Sequence, residues 1–335
     1  MENNIFRIGV DAGYGDVKTA VNFNERTEYF KFPTAVAYAK NGLVLGGFGT
    51  ENAIRDYEYN GRKYRVGHSA LKCSDLFYTR DINFLLTYAP LLIYASLERV
   101  AETYSIGFDE LIVAAKQLCI GLPLSYWEEY ESKFADMLTD FQVAGRHVHF
   151  DAVEVLAQGQ GVLVDFVIDD AWHENEERAN SDIVIVDIGF NTIDVLCVEE
   201  GTCSKEWSDM IEGGGICRIC DSVNSNLQKS RIYLPEQAVK DVLMKKELTI
   251  YGQNRDLSNV IRNASEAYTD KLEQEIRSRW SSFLQRADKL IIAGGGAYYL
   301  SEFNGYPPDF ICVPNDPEYS NARGFLKYLT GLENK

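Results

Sequence analysis

The chain has 335 residues, 46% hydrophobic and 25% charged, and 33 Lys plus Arg against 50 Asp plus Glu give it a net charge of −17. That length accommodates two domains and ample core, the composition is that of a globular protein, and the acidic balance argues against nonspecific nucleic-acid binding through a broad basic face. No apolar run approaches the ~20 residues of a membrane span. The polar opening Met1-Glu2-Asn3-Asn4 shows no signal-peptide pattern, and seven scattered cysteines read as reduced thiols, so a cytoplasmic protein is expected.

A hairpin is predicted from Phe6 to Phe23, turning at Asp11 to Asp16. Residues 25–80 mix short strands with the turns Asn41-Gly42, Gly46-Gly47 and Asn60-Gly61, the last a two-residue hairpin signal. An apolar helix follows from Phe84 to Tyr104. The run Leu111 to Ile120 reads as one central strand ending at Gly121-Leu122-Pro123. Ser125 with Glu128 fits a capping box for a helix to Leu138. A strand spans His147 to Leu156, followed by the turn Gln158-Gly159-Gln160-Gly161. Residues 166–180 are an acidic, exposed connection. A second hairpin runs Val184 to Asp194, then the Gly213-Gly214-Gly215 turn. Pro235 opens a helix to Lys246, and residues 256–287 form one long or two shorter helices. Leu290 to Ala293 is a buried strand ending at Gly294-Gly295-Gly296, with a helix start expected after it, and a last helix covers Asn321 to Leu329. Strands alternating with helices imply a mainly parallel α/β architecture.

The two hairpins repeat one pattern. A shift of 176 positions lays Asp11 on Asp187, Gly13 on Gly189, Tyr14 on Phe190 and Val17 on Ile193. A repeat at domain length predicts two related domains, and paired Asp-bearing hairpins suit a nucleoside triphosphate with its metal. In the first copy, Gly13 and Gly15 let backbone N–H groups approach phosphate oxygens, with Tyr14 and Asp16 completing the turn. Lys18 can supply a point charge to the β/γ-phosphates. Asp11 can hold Mg²⁺ through water, since that ion keeps much of its hydration shell. In the second copy Asp187 is the metal-side carboxylate, Asn191 and Thr192 can donate to phosphate oxygens beside Gly189 and Phe190, and Asp194 replaces the lysine. The glycines 294–296 can lie flat against a nucleoside, with the expected helix start favouring an anion. Glu212, beside Gly213 and Gly214, is a candidate ribose-hydroxyl acceptor.

The order Asp-x-Gly hairpin, connecting segment, Asp-x-Gly hairpin, Ala-Gly-Gly-Gly resembles the actin, Hsp70 and sugar-kinase ATPases, with their phosphate-1, connect-1, phosphate-2 and adenosine motifs spread over residues 8–300. Within that superfamily the chain is similar to ParM-type bacterial actin-like proteins. Cys119 to Leu124 looks like their Gly-Leu-Pro strand end, Val155 to Gly161 like their Pro-Gln-Gly segment, and Asn321 to Phe325 like their C-terminal Asn-x-x-Gly helix. Ala157 stands where many relatives have Pro. The resemblance implies a duplicated RNase H-like (actin-like) fold, with residues 1–165 plus 316–335 as domain I and 181–315 as domain II. It implies Asp11 and Asp187 bracketing Mg²⁺, ATP or GTP as nucleotide, and Gln158 orienting a water, with Glu154 as the alternative on the same strand face. It also implies nucleotide-driven filaments that segregate plasmid or chromosomal DNA through a DNA-binding adaptor, with no direct nucleic-acid or membrane contact. A small-molecule kinase and a non-polymerising ATPase scaffold are the competing readings.

Two clusters are set aside. Cys217-Arg218-Ile219-Cys220 lacks the second pair that a four-ligand zinc site needs, and His147 with His149 lacks a third ligand.

Overall fold

The computed structural model describes residues 5–39, 55–301, 303 and 305–332. It divides into two compact units, residues 1–172 with 319–335, and residues 173–318. The Asn41-Gly42 and Gly46-Gly47 turns lie outside the described residues.

The first unit opens on β1 (Phe6–Ala12), β2 (Asp16–Phe23) and β3 (Arg26–Pro33), an antiparallel meander. The short strands β4 (Val36–Tyr38), β5 (Tyr57–Tyr59) and β6 (Arg62–Val66) form a separate sheet. Its β5–β6 turn is the predicted Asn60-Gly61, with φ of 50° and 72°, as a primed hairpin turn requires. Helix α1 (Ile82–Tyr104) is largely buried. By length and composition alone it could cross a membrane, against the expectation that no apolar run came close, but it is the core helix of this unit.

The expected strand over Leu111 to Ile120 is in fact two elements. Helix α2 (Phe108–Val113) ends at Ala114, and β7 (Lys116–Leu122) follows. The Lys116 ammonium marks the switch by donating to Ile112 O and Ala114 O, both at 2.7 Å, which caps the end of α2. Helix α3 (Leu124–Thr139) has Pro123 at its N-cap and no side-chain cap, so the Ser125–Glu128 capping box does not form. Proline's fixed φ already sets the helix entry, placing Ser125 inside the first turn. The expected strand His147 to Leu156 is also two: β8 (Asp140–Val143) pairs with β9 (Arg146–His149), and β10 (Ala152–Ala157) joins the main sheet. His147 and His149 both face Asp140, at 2.5 and 3.6 Å, and are exposed. Helix α4 (Gln160–Val167) completes this part of the chain.

The second unit contains α5 (Glu176–Ala179), β11 (Ile183–Ile188), β12 (Ile193–Glu199), β13 (Thr202–Ile211), α6 (Cys217–Lys229), α7 (Glu236–Lys245), β14 (Glu247–Ile250), β15 (Gln253–Asp256), α8 (Ser258–Leu284), β16 (Lys289–Ala293) and β17 (Ile311–Cys312). Pro235 is the N-cap of α7 rather than its first residue. Helix α8 is one long element broken only at Trp280. The chain then returns to the first unit as α9 (Ser320–Leu332).

The sheets carry the duplication. One runs β10-β7-β1-β2-β3 and the other β17-β16-β11-β12-β13. In both, the hairpin strands are antiparallel and the next two strands parallel. Each sheet is therefore mixed, not mainly parallel, because a hairpin begins each unit. This is the duplicated RNase H-like architecture that the resemblance implied, and the repeat marks its two related halves. Strand β11 is buried along its whole length, as a strand covered on both faces must be.

Side chains on β1 alternate between faces. Phe6 stacks on Phe23 and meets Tyr104 of α1 edge-on. On the other face Gly9 lies under α9, where a Cβ would come within 2.2 Å of Ala322 O. Asp11 shares that second face, which leads directly to the candidate site.

Candidate functional site

In the first unit Asp11 ends β1 and pairs in register with Lys18 on β2. Lys18 Nζ donates to Asp11 Oδ2 at 2.8 Å, and Gln158 Nε2 donates to Asp11 Oδ1, also at 2.8 Å. All three are buried. Both Asp11 oxygens are thus held, one by a cation and one by an amide. The amide contact turns Gln158 Oε1 away from Asp11.

The turn between the strands is fixed from outside the hairpin. Thr34 Oγ1 donates to Gly13 O at 2.5 Å, Thr34 N donates to Gly15 O at 3.0 Å, and Thr79 Oγ1 donates to Tyr14 O at 3.1 Å. The turn's carbonyls are thereby tied back from three directions. Tyr14 is buried, whereas Asp16 is partly exposed at the start of β2.

Gln158 does not continue β10. Its N–H donates to Leu122 O at 2.7 Å, and Gly159 then takes φ of 92°, where a side chain would be strained. Asn321 Oδ1 accepts from Gly159 N at 3.1 Å, so α9 pins the turn that carries Gln158. Glu154 stays on the strand, opposite Cys119. Its charge bears on Cys119 and Tyr328, whose pKa values burial raises first and Glu154 raises further. Glu154 and Gln158 keep the shared face predicted for them: Glu154 pairs with Cys119, and a Cβ on Gly121, two residues further along β7, would lie 3.2 Å from Gln158 Cγ.

Helix α4 is locked to α9 beyond this turn. Arg323 grips Asp165 through Nε at 2.7 Å and Nη2 at 2.6 Å, and Lys327 Nζ reaches the same carboxylate at 2.9 Å. Gly161 and Gly324 let the backbones cross: a Cβ on Gly324 would lie 1.7 Å from Gly161 O.

In the second unit Asp187 pairs in register with Asp194. Gly189 N donates to Thr192 O at 2.9 Å, closing the turn, and Thr192 Oγ1 donates to Asp194 Oδ2 at 3.2 Å. Asp187, Asn191, Thr192 and Asp194 are all buried. Two glycine loops meet this hairpin. Gly215 N donates to Asn191 O at 3.0 Å, and a Cβ on Gly215 would fall 2.5 Å from Gly189 O and Phe190 O. Gly294, at φ of 81°, lies where a Cβ would come 2.5 Å from Asp187 Oδ1. Tyr268, its pKa raised by burial, donates its hydroxyl to Gly214 O at 2.9 Å and holds the first loop in place.

The second loop departs from expectation. Gly295–Tyr299 is a short 3₁₀ turn, not the start of an α-helix, so the dipole argument for an anion there is lost. Gly295 stays partly open, while Gly296 is pressed onto Ile188. Glu212 is exposed beside Gly213. Cys217 of the Cys-x-x-Cys pair is buried, with Sγ 3.8 Å from Gly213 O and 3.7 Å from Gly215 O, a packing role at the base of the loop.

Sequence reasoning missed Thr34, Thr79, Asn321 and Tyr268, which brace the turns from distant elements. The Asn321-x-x-Gly324 spacing was the one available signal among them.

The comparisons with known proteins agree with this geometry. Residues 9–161 match the family of actin like proteins, N terminal domain, and residues 185–304 match archaeal actin homologue MreB-like, C-terminal. The two matches fall one in each unit, and both are to actin-like proteins. Similar solved structures include a 15-stranded ParM filament from Clostridium botulinum, at 20% identity and TM-score 0.76, covering 98% of this chain and 99% of that one. An archaeal actin homologue, Ta0583, in complex with ADP is 18% identical with TM-score 0.73, covering 98% and 99%. Bacillus thuringiensis ParM with AMPPNP is 16% identical with TM-score 0.71, covering 99% and 100%. No curated protein matches the chain.

The residues present fit a magnesium nucleotide. Among the described residues no group of three or more His, Cys, Asp or Glu is arranged to hold a metal directly. The first hairpin carries one buried carboxylate, Asp11, and the second two, Asp187 and Asp194, a sparse donor set that suits an ion which keeps its waters and takes other ligands from phosphate.

Proposed function

We propose that this chain is an actin-like filament protein that binds ATP with Mg²⁺, assembles in the triphosphate state and hydrolyses the nucleotide slowly to disassemble. The observation that carries the reading is the Asp11–Lys18–Gln158 constellation, in which Asp11 is gripped at both oxygens and the glutamine amide is fixed. The bound magnesium nucleotide supplies the scissile phosphoanhydride and the cation that offsets its charge. Asp11, on the hairpin of the first unit, would hold the ion through its waters, and Asp187 is its counterpart on the hairpin of the second. The turn at Gly13 to Asp16 would take phosphate oxygens on the first unit and the side chains of Asn191 and Thr192 on the second, where Gly189 N stays engaged with Thr192 O, and Lys18 would turn its charge from Asp11 toward the β/γ-phosphates. Gly213, Gly214 and Gly294 to Gly296 take the nucleoside, with Glu212 on the ribose.

Gln158 orients the attacking water through Oε1. A neutral amide is a poor base, so turnover is slow until assembly improves the alignment. The differential affinity of the nucleotide for the two shapes supplies the switch. The net charge of −17 favours a cargo of DNA held through an adaptor rather than directly.

Sedimentation and electron microscopy with ATP and Mg²⁺ test this. The wild type should pellet as filaments and release phosphate slowly. Asp187→Ala should abolish metal-dependent hydrolysis, whereas Gln158→Ala should bind nucleotide, assemble and form longer-lived polymers. Wild-type protein that stays monomeric at high concentration refutes the assembly reading, and normal phosphate release by both variants refutes the site assignment.

A further inference from the structure

The β14–β15 hairpin of the second unit is thinly covered, with only Leu248 and Ile250 of β14 half-buried. It is a two-stranded sheet by itself, and every residue from Gln253 to Asp256 is exposed. Such a ribbon is marginal in water without a covering layer. Its two-residue turn is Tyr251-Gly252, at φ of 49° and 77°. The first position of this turn favours Asn, Asp or Gly, because a positive φ strains bulkier residues. A tyrosine occupies it and is fully exposed at the tip. The side chain therefore adds backbone strain and leaves its ring in water, with no return inside the chain.

The surroundings carry unusual charge. Residues 229–256 hold six Lys or Arg against four Asp or Glu, a local excess of +2 in a chain of −17. Among the exposed side chains of this stretch the cations are Lys229, Arg231, Lys245, Lys246 and Arg255, against only Glu247 and Asp256. Met244, also exposed, adjoins the lysines. A basic patch with an aromatic tip is not self-complementary, since two copies facing each other would set like charges together. It is complementary to the acidic remainder of another copy, which includes the exposed carboxylates Asp169, Asp170, Glu174, Glu176 and Glu177. A contact between unlike patches is heterologous, and heterologous contacts that do not close into rings build open filaments.

We propose that the Tyr251 hairpin, with Met244, Lys245 and Lys246 at its base, is a self-association contact that docks on an acidic surface of a second copy of this chain. Tyr251 is the anchor, as aromatic residues commonly are at interfaces. The lysines steer and orient the encounter. This inference rests on the self-assembly reading above.

The test compares wild type, Tyr251→Ser and Lys245→Glu/Lys246→Glu by ATP-triggered sedimentation, with fluorescent ATP-analogue binding as the folding control. Both variants should bind the analogue as wild type does, while their critical concentration rises roughly tenfold or more. The lysine variant should also lose most of the wild type's salt sensitivity. Wild-type assembly with an unchanged critical concentration in Tyr251→Ser overturns this inference and leaves the proposed function standing. A wild type that never assembles overturns both. A duplex DNA probe covers the other chemistry that a basic, aromatic ribbon invites: DNA binding that the variants lose while their assembly is intact also overturns the inference.

Discussion

Asp165→Asn removes one charge from the α4–α9 lock and keeps the side chain's shape. In the native chain that carboxylate meets Arg323 in a two-pronged contact and Lys327 at 2.9 Å, with the three side chains only 5%, 14% and 4% exposed. Two buried cations would then lose their shared anion, although Lys327 keeps its bond to Ile168 O and its ion pair with the exposed Asp170 at 3.7 Å. Breaking a buried ion pair by removing one partner costs about 3–5 kcal/mol. For a unit of about 190 residues, each kcal/mol shifts the melting temperature by about 2–4 °C, so a fall of roughly 6–20 °C is expected. Calorimetry on the full chain reads it as an early transition of the first unit, since two units need not melt together. Replacing all three residues with apolar ones (Asp165→Leu, Arg323→Met, Lys327→Met) should recover most of the loss, because the desolvation of the charges disappears with them. A fall below about 2 °C for Asp165→Asn would refute the argument.

Asn321→Ala should leave nucleotide affinity unchanged while lowering single-turnover hydrolysis roughly 10–100-fold, because it frees the Gly159 N–H and loosens Gln158; a matched loss of affinity would point to a general structural role. Lys116 gives a pH signature. Burial pushes its ammonium down to about 8, opposed by the nearby Asp151 charge. Between that value and the ordinary 10.5 the unfolded chain binds more protons, so stability rises with pH across this window and carries the full penalty below it. Urea unfolding of wild type against Lys116→Met from pH 7.5 to 10.5 should show wild type gaining by about 1–3 kcal/mol over the variant. Parallel profiles would mean that the two carbonyl bonds keep the ammonium fully charged.

The two hairpins were legible because an Asp-x-Gly turn between long apolar runs admits few other structures, and their repetition foretold two equivalent sheets. The mixed character of those sheets was hidden, since alternating strands and helices do not reveal that each unit starts with a hairpin. Leu111 to Ile120 misled because an apolar run without clear period does not say where helix gives way to strand. The actual signal was Lys116, a buried cation capping the helix it follows. Ser125 misled because a local cap competes with Pro123, whose ring decides the entry first. Of the site, Asp11, Lys18, Gln158 and the glycine loops could be read from the chain. Thr34, Thr79 and Tyr268 could not, because a hydroxyl donating to a distant turn carbonyl leaves no mark in the sequence near that turn.

The glycine contacts bear on how far such a chain can drift. At Gly9, Gly215 and Gly324 the obstacle to a side chain is main-chain atoms, with approaches of 2.2, 2.5 and 1.7 Å to a carbonyl oxygen. Contacts of that kind depend on the absence of a side chain, not on which residue the neighbour is. The neighbour can change freely while the glycine cannot. A fold registered this way concentrates its demands on a few positions and leaves the rest open to replacement, which accounts for an architecture shared over almost the full length at 16–20% identity.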